Sequence, residues 1–363
     1  MKIEIKKFES LSRAKRWFAA ISRVGGSGGI ISFNVLKACL YVTRLKVAMK
    51  MIKHPLGFIR FLQAGGMKTA IYSAWKGDKI VLIAPLFCNE KLKWEIIGFS
   101  NNLDYQDFIY SSDYDNKDIA EALEALFSRF HYDNISDVNI GQLPVTSLLR
   151  FLPEGFLSEI ENSKSVCIDL GDRGYSGYFE QLGKHAKQNI RTAYNRCRRN
   201  GKSISFSFYS PIGIGEDINK AKGKKAIRLS RALYRQRQEK RYNHYRGILH
   251  RIVLRYANYT SLSIPGENGF VASVWIGEKL AASMDGYINR TRKALEIPRL
   301  SINDNLAWYS PGLILLSETA RFLLEKSDIR QIDLCRGTEK YKFDMGGREY
   351  VTSHVILKMR GKK

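Results

Sequence analysis

The chain has 363 residues, with 59 lysines and arginines against 35 aspartates and glutamates, which gives a formal charge of +24. A hydrophobic content of 44% excludes bulk disorder, and the length suits two domains of roughly 150 residues each. The 5 cysteines are scattered without Cys-x-x-Cys or Cys/His spacing. This scatter argues against a structural zinc site and predicts a metal-free protein from a reducing compartment.

The beginning of the chain predicts a cytoplasmic protein. Charged and apolar residues alternate from Met1 to Phe8, unlike a signal peptide. The apolar run 28–42 is too short and too charged to span a membrane. The segment from Lys37 to Phe61 then mixes six basic side chains with apolar ones. Such a segment suits either a helix lying on an anionic membrane surface or an ordinary helix packed on its domain, and both readings stay open.

Elements of an α+β domain follow in the first half of the chain. A hairpin is predicted at Ile71–Trp75 and Lys79–Ala84, with a third strand at Trp94–Phe99. Apolar residues at helical spacing predict a helix at Ile119–Phe130, and a short strand is expected at Ile135–Ile140.

The positive charge is concentrated in one block. Residues 181–255 hold 20 lysines and arginines against three acidic residues, which is +17 of the total of +24. Helices are predicted within or beside this block at Tyr178–Asn200 and Lys220–Arg241. The block is either a solvated helix face or a site for a polyanion, which could be a phosphorylated donor, a nucleic acid or an anionic membrane.

The last third of the chain shows the clearest pattern. Three strands in succession are predicted at Phe270–Ile276, Leu280–Ile288 and Ala294–Ile302. A helix is expected to begin at Pro311 with Ser310 as its N-cap. It is followed by a buried strand at Gln331–Cys335, an irregular polar loop at 336–347 and a final strand at Tyr350–Met359.

The two halves repeat the same order of elements. The hairpin residues Ser73 and Trp75 recur as Ser273 and Trp275 at a shift of 200 positions. We therefore predict a tandem α+β repeat with a first domain at 1–160 and a second at 161–363 that includes the basic helices of 178–255. The second copy alone has the Ser-Pro-Gly helix start, so the first is expected to be non-catalytic.

The helix start at Ser310–Gly312 is the first candidate for chemistry. The first turn of a helix leaves amides unpaired and carries partial positive charge, so it can hold a pyrophosphate. Gly312 lets a ligand approach the backbone closely. The alternative is an ordinary helix start with no ligand.

Two segments, YSPGLILL at Tyr309–Leu316 and IDLCRGTEKYK at Ile332–Lys342, together with Gly346, resemble the C-terminal signature of the CelD/BcsL-type acetyltransferases. That family belongs to the GNAT superfamily and is linked to cellulose and other extracellular polysaccharide synthesis. It is also similar to the Fem-type aminoacyl transferases, which contain two GNAT-like domains. The resemblance covers about residues 70–360 and includes the basic helix Leu182–Asn200.

The resemblance implies tandem GNAT-like domains, each with a mixed, mainly antiparallel sheet flanked by helices. It also implies acyl-CoA, with acetyl-CoA expected, as the co-substrate. The usual Arg/Gln-x-x-Gly-x-Gly/Ala phosphate loop is absent, and the segment Tyr309–Leu313 occupies its place. The expected cofactor-binding residues are Tyr309, Ser310, Gly312 and Leu313.

Direct acyl transfer needs a base, a donor to the thioester oxygen and an acid for the leaving thiolate. Asp333, at the end of a buried strand, is the first candidate for base or acceptor anchor, the alternative being a residue that caps the following loop. Glu339 is the second candidate base, and Tyr341 is the candidate acid. Arg191 and Lys342 are the candidates for binding phosphate or an acidic acceptor, the alternative being that both are merely solvated.

The leading interpretation is an acyl-CoA-dependent transferase that acts on a glycan, a lipid-linked precursor or a small acceptor. A Fem-like transferase that takes its group from aminoacyl-tRNA is the alternative among enzymes. A non-catalytic module that binds RNA or an anionic membrane surface is the alternative outside enzymes.

Overall fold

A computed structural model describes residues 2–23, 36, 37, 40, 43, 68–89, 93–97, 107–111, 113–144, 151, 157–210, 220–242, 269–290 and 292–359. The chain forms two compact units. The first comprises Met1–Ser163 and the returning segment Val351–Lys363, and the second comprises Lys164–Tyr350. The second unit thus ends before the last strand, whereas the division expected from the sequence extended it to residue 363. This strand leaves the second unit because its residues Thr352–Lys358 pair with a strand of the first.

The first unit is built on a mixed sheet with helices packed against it. Its elements are β1 (Ile3–Phe8), α1 (Lys15–Arg23), β2 (Thr69–Lys76), β3 (Lys79–Cys88), β4 (Trp94–Ile96), β5 (Ile109–Tyr110), α2 (Asn116–Tyr132), β6 (Asp137–Pro144) and the end of β13 (Gly347–Lys358). The strand order is β1-β2-β3-β4-β6-β13, with β5 beside β3. The helix α2 begins at the N-cap Asp115, whose carboxylate accepts the Asp118 N–H, and its apolar face covers the sheet.

The second unit repeats this plan. Its elements are β7 (Leu157–Asp169), α3 (Gly174–Gln181), α4 (Lys184–Arg199), β8 (Ile204–Tyr209), α5 (Lys220–Tyr242), β9 (Gly269–Ile276), β10 (Lys279–Asn289), β11 (Ala294–Ile302), a 3-10 turn (Asp304–Tyr309), α6 (Pro311–Lys326), β12 (Gln331–Arg336) and α7 (Lys340–Asp344). The strand order is β8-β9-β10-β11-β12-β7. Helices α3, α4 and α6 share one hydrophobic core with the sheet, and α5 packs on a separate apolar cluster.

The repeat predicted from the sequence is confirmed by the strand pairing. In each unit three antiparallel pairings follow one another, β1-β2-β3-β4 and β8-β9-β10-β11, and a helix then leads to a strand that pairs in parallel with the fourth. Even a side-chain bond recurs, since the indole N–H of Trp75 donates to Ser73 at 2.7 Å and that of Trp275 to Ser273 at 3.2 Å. The predicted α+β class, with a tandem repeat of a mixed, mainly antiparallel sheet flanked by helices, is therefore confirmed.

Three local predictions are corrected. The single helix expected at Tyr178–Asn200 is two helices, because Leu182 and Gly183 are extended and Leu182 is buried in the core. The loop 336–347 contains the helix α7. Ser310 stands at the start of α6 as expected, but it is left-handed at φ 49° and its hydroxyl makes no capping bond.

The segment from Lys37 to Phe61, with its alternative membrane role, lies almost wholly outside the described residues. Within the described part of the chain, no helix is long and apolar enough to cross a membrane.

Candidate active site

The sheet of the second unit opens where β11 and β12 separate. β12 pairs in parallel with Ala294–Glu296, the first three residues of β11. The rest of β11, from Ile297 to Ile302, continues beside β10 and leads through the 3-10 turn to α6. The N-terminus of α6 thus begins close to the end of β11, and a Cβ added at Gly312 would lie 3.2 Å from the Ile302 side chain.

Helix α4 holds the turn that precedes α6. The Arg196 guanidinium donates to the Trp308 carbonyl at 2.7 Å and lies 4.2 Å from the centroid of the Trp308 ring. The Asn200 amide donates to the Tyr309 hydroxyl at 3.1 Å. The basic helix and the N-terminus of α6 are therefore neighbours, and a cationic side chain stands beside the positive end of the helix dipole.

The residues expected to bind the cofactor converge on this helix start. Ser310 accepts the Leu313 N–H with its carbonyl at 3.1 Å. The side chains of Tyr309 and Leu313 pack against the core of the unit. A second left-handed residue, Cys335 with φ 56°, is the penultimate residue of β12, on the other side of the separation. Non-glycine residues in this conformation are uncommon and concentrate at functional sites.

Asp333 lies at the centre of a buried charged cluster. Its carboxylate accepts from Arg292 at 2.9 Å and from the Tyr350 hydroxyl at 2.6 Å. Its other oxygen accepts the Cys335 N–H at 2.9 Å. This last bond is the loop-capping role, which was the alternative for this residue. With both oxygens bonded and the side chain fully buried, Asp333 orients its neighbours.

Glu296 is the functional candidate that the sequence did not reveal. Its Oε1 accepts from Asn289 at 2.8 Å and from Arg292 at 3.2 Å, while its buried Oε2 has no hydrogen-bond partner. Burial raises the pKa of Glu296 to about 7, against the opposing charge of Arg292. Glu296 is the last residue of β11 that pairs with β12, so a carboxyl with this raised pKa stands where the two strands separate.

Lys342, which follows β12, does not have the phosphate-binding role that was predicted for it. The Lys342 side chain is buried, and its ammonium donates to the carbonyls of Leu334 at 2.9 Å, Arg336 at 2.7 Å and Gly337 at 3.0 Å. It also pairs with Glu339 at 2.9 Å. These contacts use all three N–H bonds of the ammonium, so Lys342 pins the loop and has none left for a phosphate.

The remaining candidates are placed as follows. Glu339 is largely exposed and is tied to Lys342, so it is not held toward the opening. Tyr341 is half-buried against the core of the unit beside the same loop. Arg191 is exposed on α4, with its guanidinium 5.8 Å from the Phe179 ring centroid.

Comparison with known proteins agrees with this geometry. Residues 184–343, which include α4, β11, α6 and β12, match the family model described as an acetyltransferase (GNAT) domain. No curated protein matches the chain. Residues 184–343 of the second unit are therefore similar to a GNAT acetyltransferase domain.

Solved structures share the fold over a longer part of the chain. A conserved protein of unknown function from Bacteroides thetaiotaomicron aligns over 98% of this chain and 100% of its own, with a TM-score of 0.52 and 11% identity. FemX, whose source organism is not named, aligns over 81% of this chain and 89% of its own, with a TM-score of 0.50 and 8% identity. At these identities the likeness establishes the fold and nothing further.

Proposed function

We propose that the chain is an acyltransferase of the CelD/BcsL type that transfers an acyl group from acyl-CoA, with acetyl-CoA expected, to an amine or hydroxyl acceptor. The acceptor would be a glycan, a lipid-linked precursor or a small molecule, and the protein would act in the cytoplasm. The observation that carries this proposal is the N-terminus of α6, which begins beside the separation of β11 and β12 with Arg196 next to it. Anionic phosphates bind at such helix starts.

The chemistry of transfer requires that the acceptor lose a proton while the thioester carbonyl is attacked. Glu296 is the proposed proton acceptor, because burial has raised the pKa of its carboxyl to about 7. Arg292 holds Glu296 and Asp333 together, which fixes the geometry of the carboxyl. Tyr341 remains the proposed acid for the thiolate.

A second candidate function is a Fem-like transfer from aminoacyl-tRNA. It is favoured by α4, which has six lysines and arginines and no acidic residue between Lys184 and Arg199. The same surface would suit RNA or an anionic membrane in a non-catalytic protein. A protein that neutralises several phosphates binds with an affinity that falls steeply with salt.

Thermal-shift titration separates these functions. Acetyl-CoA is expected to raise the melting temperature of the whole chain, since a ligand that binds only the folded state stabilises it. Arg196→Ala should weaken acetyl-CoA binding by about tenfold, because one charged contact is worth about 1.5 kcal/mol. Arg198→Ala is the matched control, since Arg198 is an exposed arginine of the same helix.

The proposal fails if acetyl-CoA leaves the melting temperature unchanged while tRNA binds with a steep salt dependence. Equal loss of acetyl-CoA affinity in both arginine variants would also contradict it, since general charge rather than the helix start would then attract the ligand.

A further inference from the structure

A row of buried polar side chains lies on one face of the second unit's sheet. Ser283 on β10 stands opposite Ser301 on β11, and Asp285 stands opposite Arg299. Directly opposed residues share a face of the sheet. The Arg299 guanidinium lies 3.5 Å from the centroid of the Tyr234 ring of α5, so this face is the one that α5 covers.

The charged groups in this row lack the bonds that buried charges normally make. Asp285 and Arg299 are each only 7% exposed. In the described part of the chain, no hydrogen bond or ion pair reaches the Asp285 carboxylate or the Arg299 guanidinium. The hydroxyls of Ser283 and Ser301 are also buried without a hydrogen-bond partner. Two hydroxyls without a partner therefore lie beside a carboxylate and a guanidinium that share no hydrogen bond.

The other buried charged cluster of this sheet makes ion pairs, so the missing bonds of Asp285 and Arg299 are not a general property of the fold. There, Arg292 pairs with Asp333 at 2.9 Å and with Glu296 at 3.2 Å. A buried carboxylate that faces cations without a hydrogen bond is costly to keep, and such groups are candidates for contact with a ligand. Burial raises the pKa of Asp285 to about 6, although Arg299 and Arg231 oppose the shift.

We propose that Asp285 and Arg299 form an acceptor subsite for an α-amino acid group, whose ammonium would bind the Asp285 carboxylate and whose carboxylate would bind the Arg299 guanidinium. The hydroxyls of Ser283 and Ser301 would complete the polar contacts. A ligand with an amine alone would leave Arg299 without an anionic partner, and one with a carboxylate alone would leave Asp285 without a hydrogen-bond donor. Only a group that carries both charges a few atoms apart satisfies both side chains.

The position of the subsite fits an acceptor role, and this assignment rests on the proposed function. The next pair in the register after Asp285 and Arg299 is Tyr287 with Glu296. Two residues along a strand span about 7 Å, so an amine held by Asp285 would lie near the proposed proton acceptor. The subsite therefore adds a substrate class, an acceptor with a free amino acid group, to the proposed transfer.

Ligand-observed NMR on the whole chain tests the subsite. The probes are the twenty L-amino acids, with ethylamine and propionate as ligands that carry only one of the two charges. At least one amino acid should bind at millimolar concentration, and ethylamine and propionate should not. Asp285→Asn and Arg299→Gln should each weaken amino acid binding by at least about tenfold, which corresponds to about 1.4 kcal/mol.

Matched variants control for charge and folding. Glu278→Gln and Arg290→Gln make the same changes of charge at exposed positions and should leave amino acid binding unchanged. The proposal is overturned if the wild-type chain binds no amino acid, if ethylamine or propionate binds equally well, or if the Asp285 and Arg299 variants bind like their controls. The wild-type measurement alone is decisive if a variant does not fold.

Acetyl-CoA binding is measured in the same samples. Acetyl-CoA binding without amino acid binding would remove the subsite and leave the proposed function standing. Amino acid binding without acetyl-CoA binding would keep the subsite and remove its assignment to an acyl acceptor.

Discussion

Replacing Lys342 by methionine tests whether this side chain holds the loop or binds the substrate. Methionine keeps most of the length and removes the charge. The variant would leave the carbonyls of Leu334, Arg336 and Gly337 without the donor that lies 2.7 to 3.0 Å away in the structure. Glu339 would also lose its partner at 2.9 Å.

The expected loss of folding free energy follows from the burial of the groups that Lys342 contacts. A buried acceptor left without its donor costs about 1–3 kcal/mol, and in this variant three carbonyls lose one charged donor together. We therefore expect the free energy of unfolding to fall by about 3–5 kcal/mol. In a unit of this size the melting temperature would fall by about 10 °C.

Urea unfolding followed by circular dichroism measures this change. The matched control is Lys340→Met, since Lys340 is exposed on the same short helix and pairs with Asp344 at 2.9 Å near the surface. An exposed pair of this kind contributes less than about 1 kcal/mol. If Lys342→Met unfolds at the same urea concentration as Lys340→Met but binds acetyl-CoA poorly, Lys342 is a substrate ligand and the structural reasoning is refuted.

Two further predictions concern the same sheet. The pKa of Glu296 is raised from 4.5 to about 7, so the folded state holds a proton that the unfolded state releases, and stability should fall as pH rises from about 4.5 to 7. Glu296→Gln should remove up to about 3 kcal/mol of that fall in pH-dependent urea unfolding, and an unchanged slope would contradict the burial argument. Gly286→Ala should destabilise by more than about 3 kcal/mol in the same assay, because its Cβ would lie 1.9 Å from the Glu296 carbonyl oxygen. Gly183→Ala, at the N-cap of α4 and with no atom within 4 Å of the added Cβ, should cost less than about 1 kcal/mol, and equal effects at both glycines would refute the steric explanation.

The sequence determined the hairpins, the helix and strand that follow each hairpin, and the repeat, because alternation, helical spacing and turn residues are local signals. The strands β1, β7 and β8 were not predicted. The strand Ala294–Ile302 and the helix start at Pro311 were placed to the residue. The break at Leu182–Gly183 was missed, since the burial of Leu182 against a distant core decides it.

Only the tertiary structure decided which polar side chains meet. Arg292 and Asp333 are 41 positions apart, and their pairing depends on the parallel contact of β11 with β12. The same contact buries Glu296, which reads in the sequence as an ordinary strand residue. In the sequence Lys342 cannot be told from a surface lysine, and only the tertiary structure shows the carbonyls around its ammonium. Burial and charge partners arise from long-range packing, and pKa and ligand-binding capacity follow from them rather than from residue type.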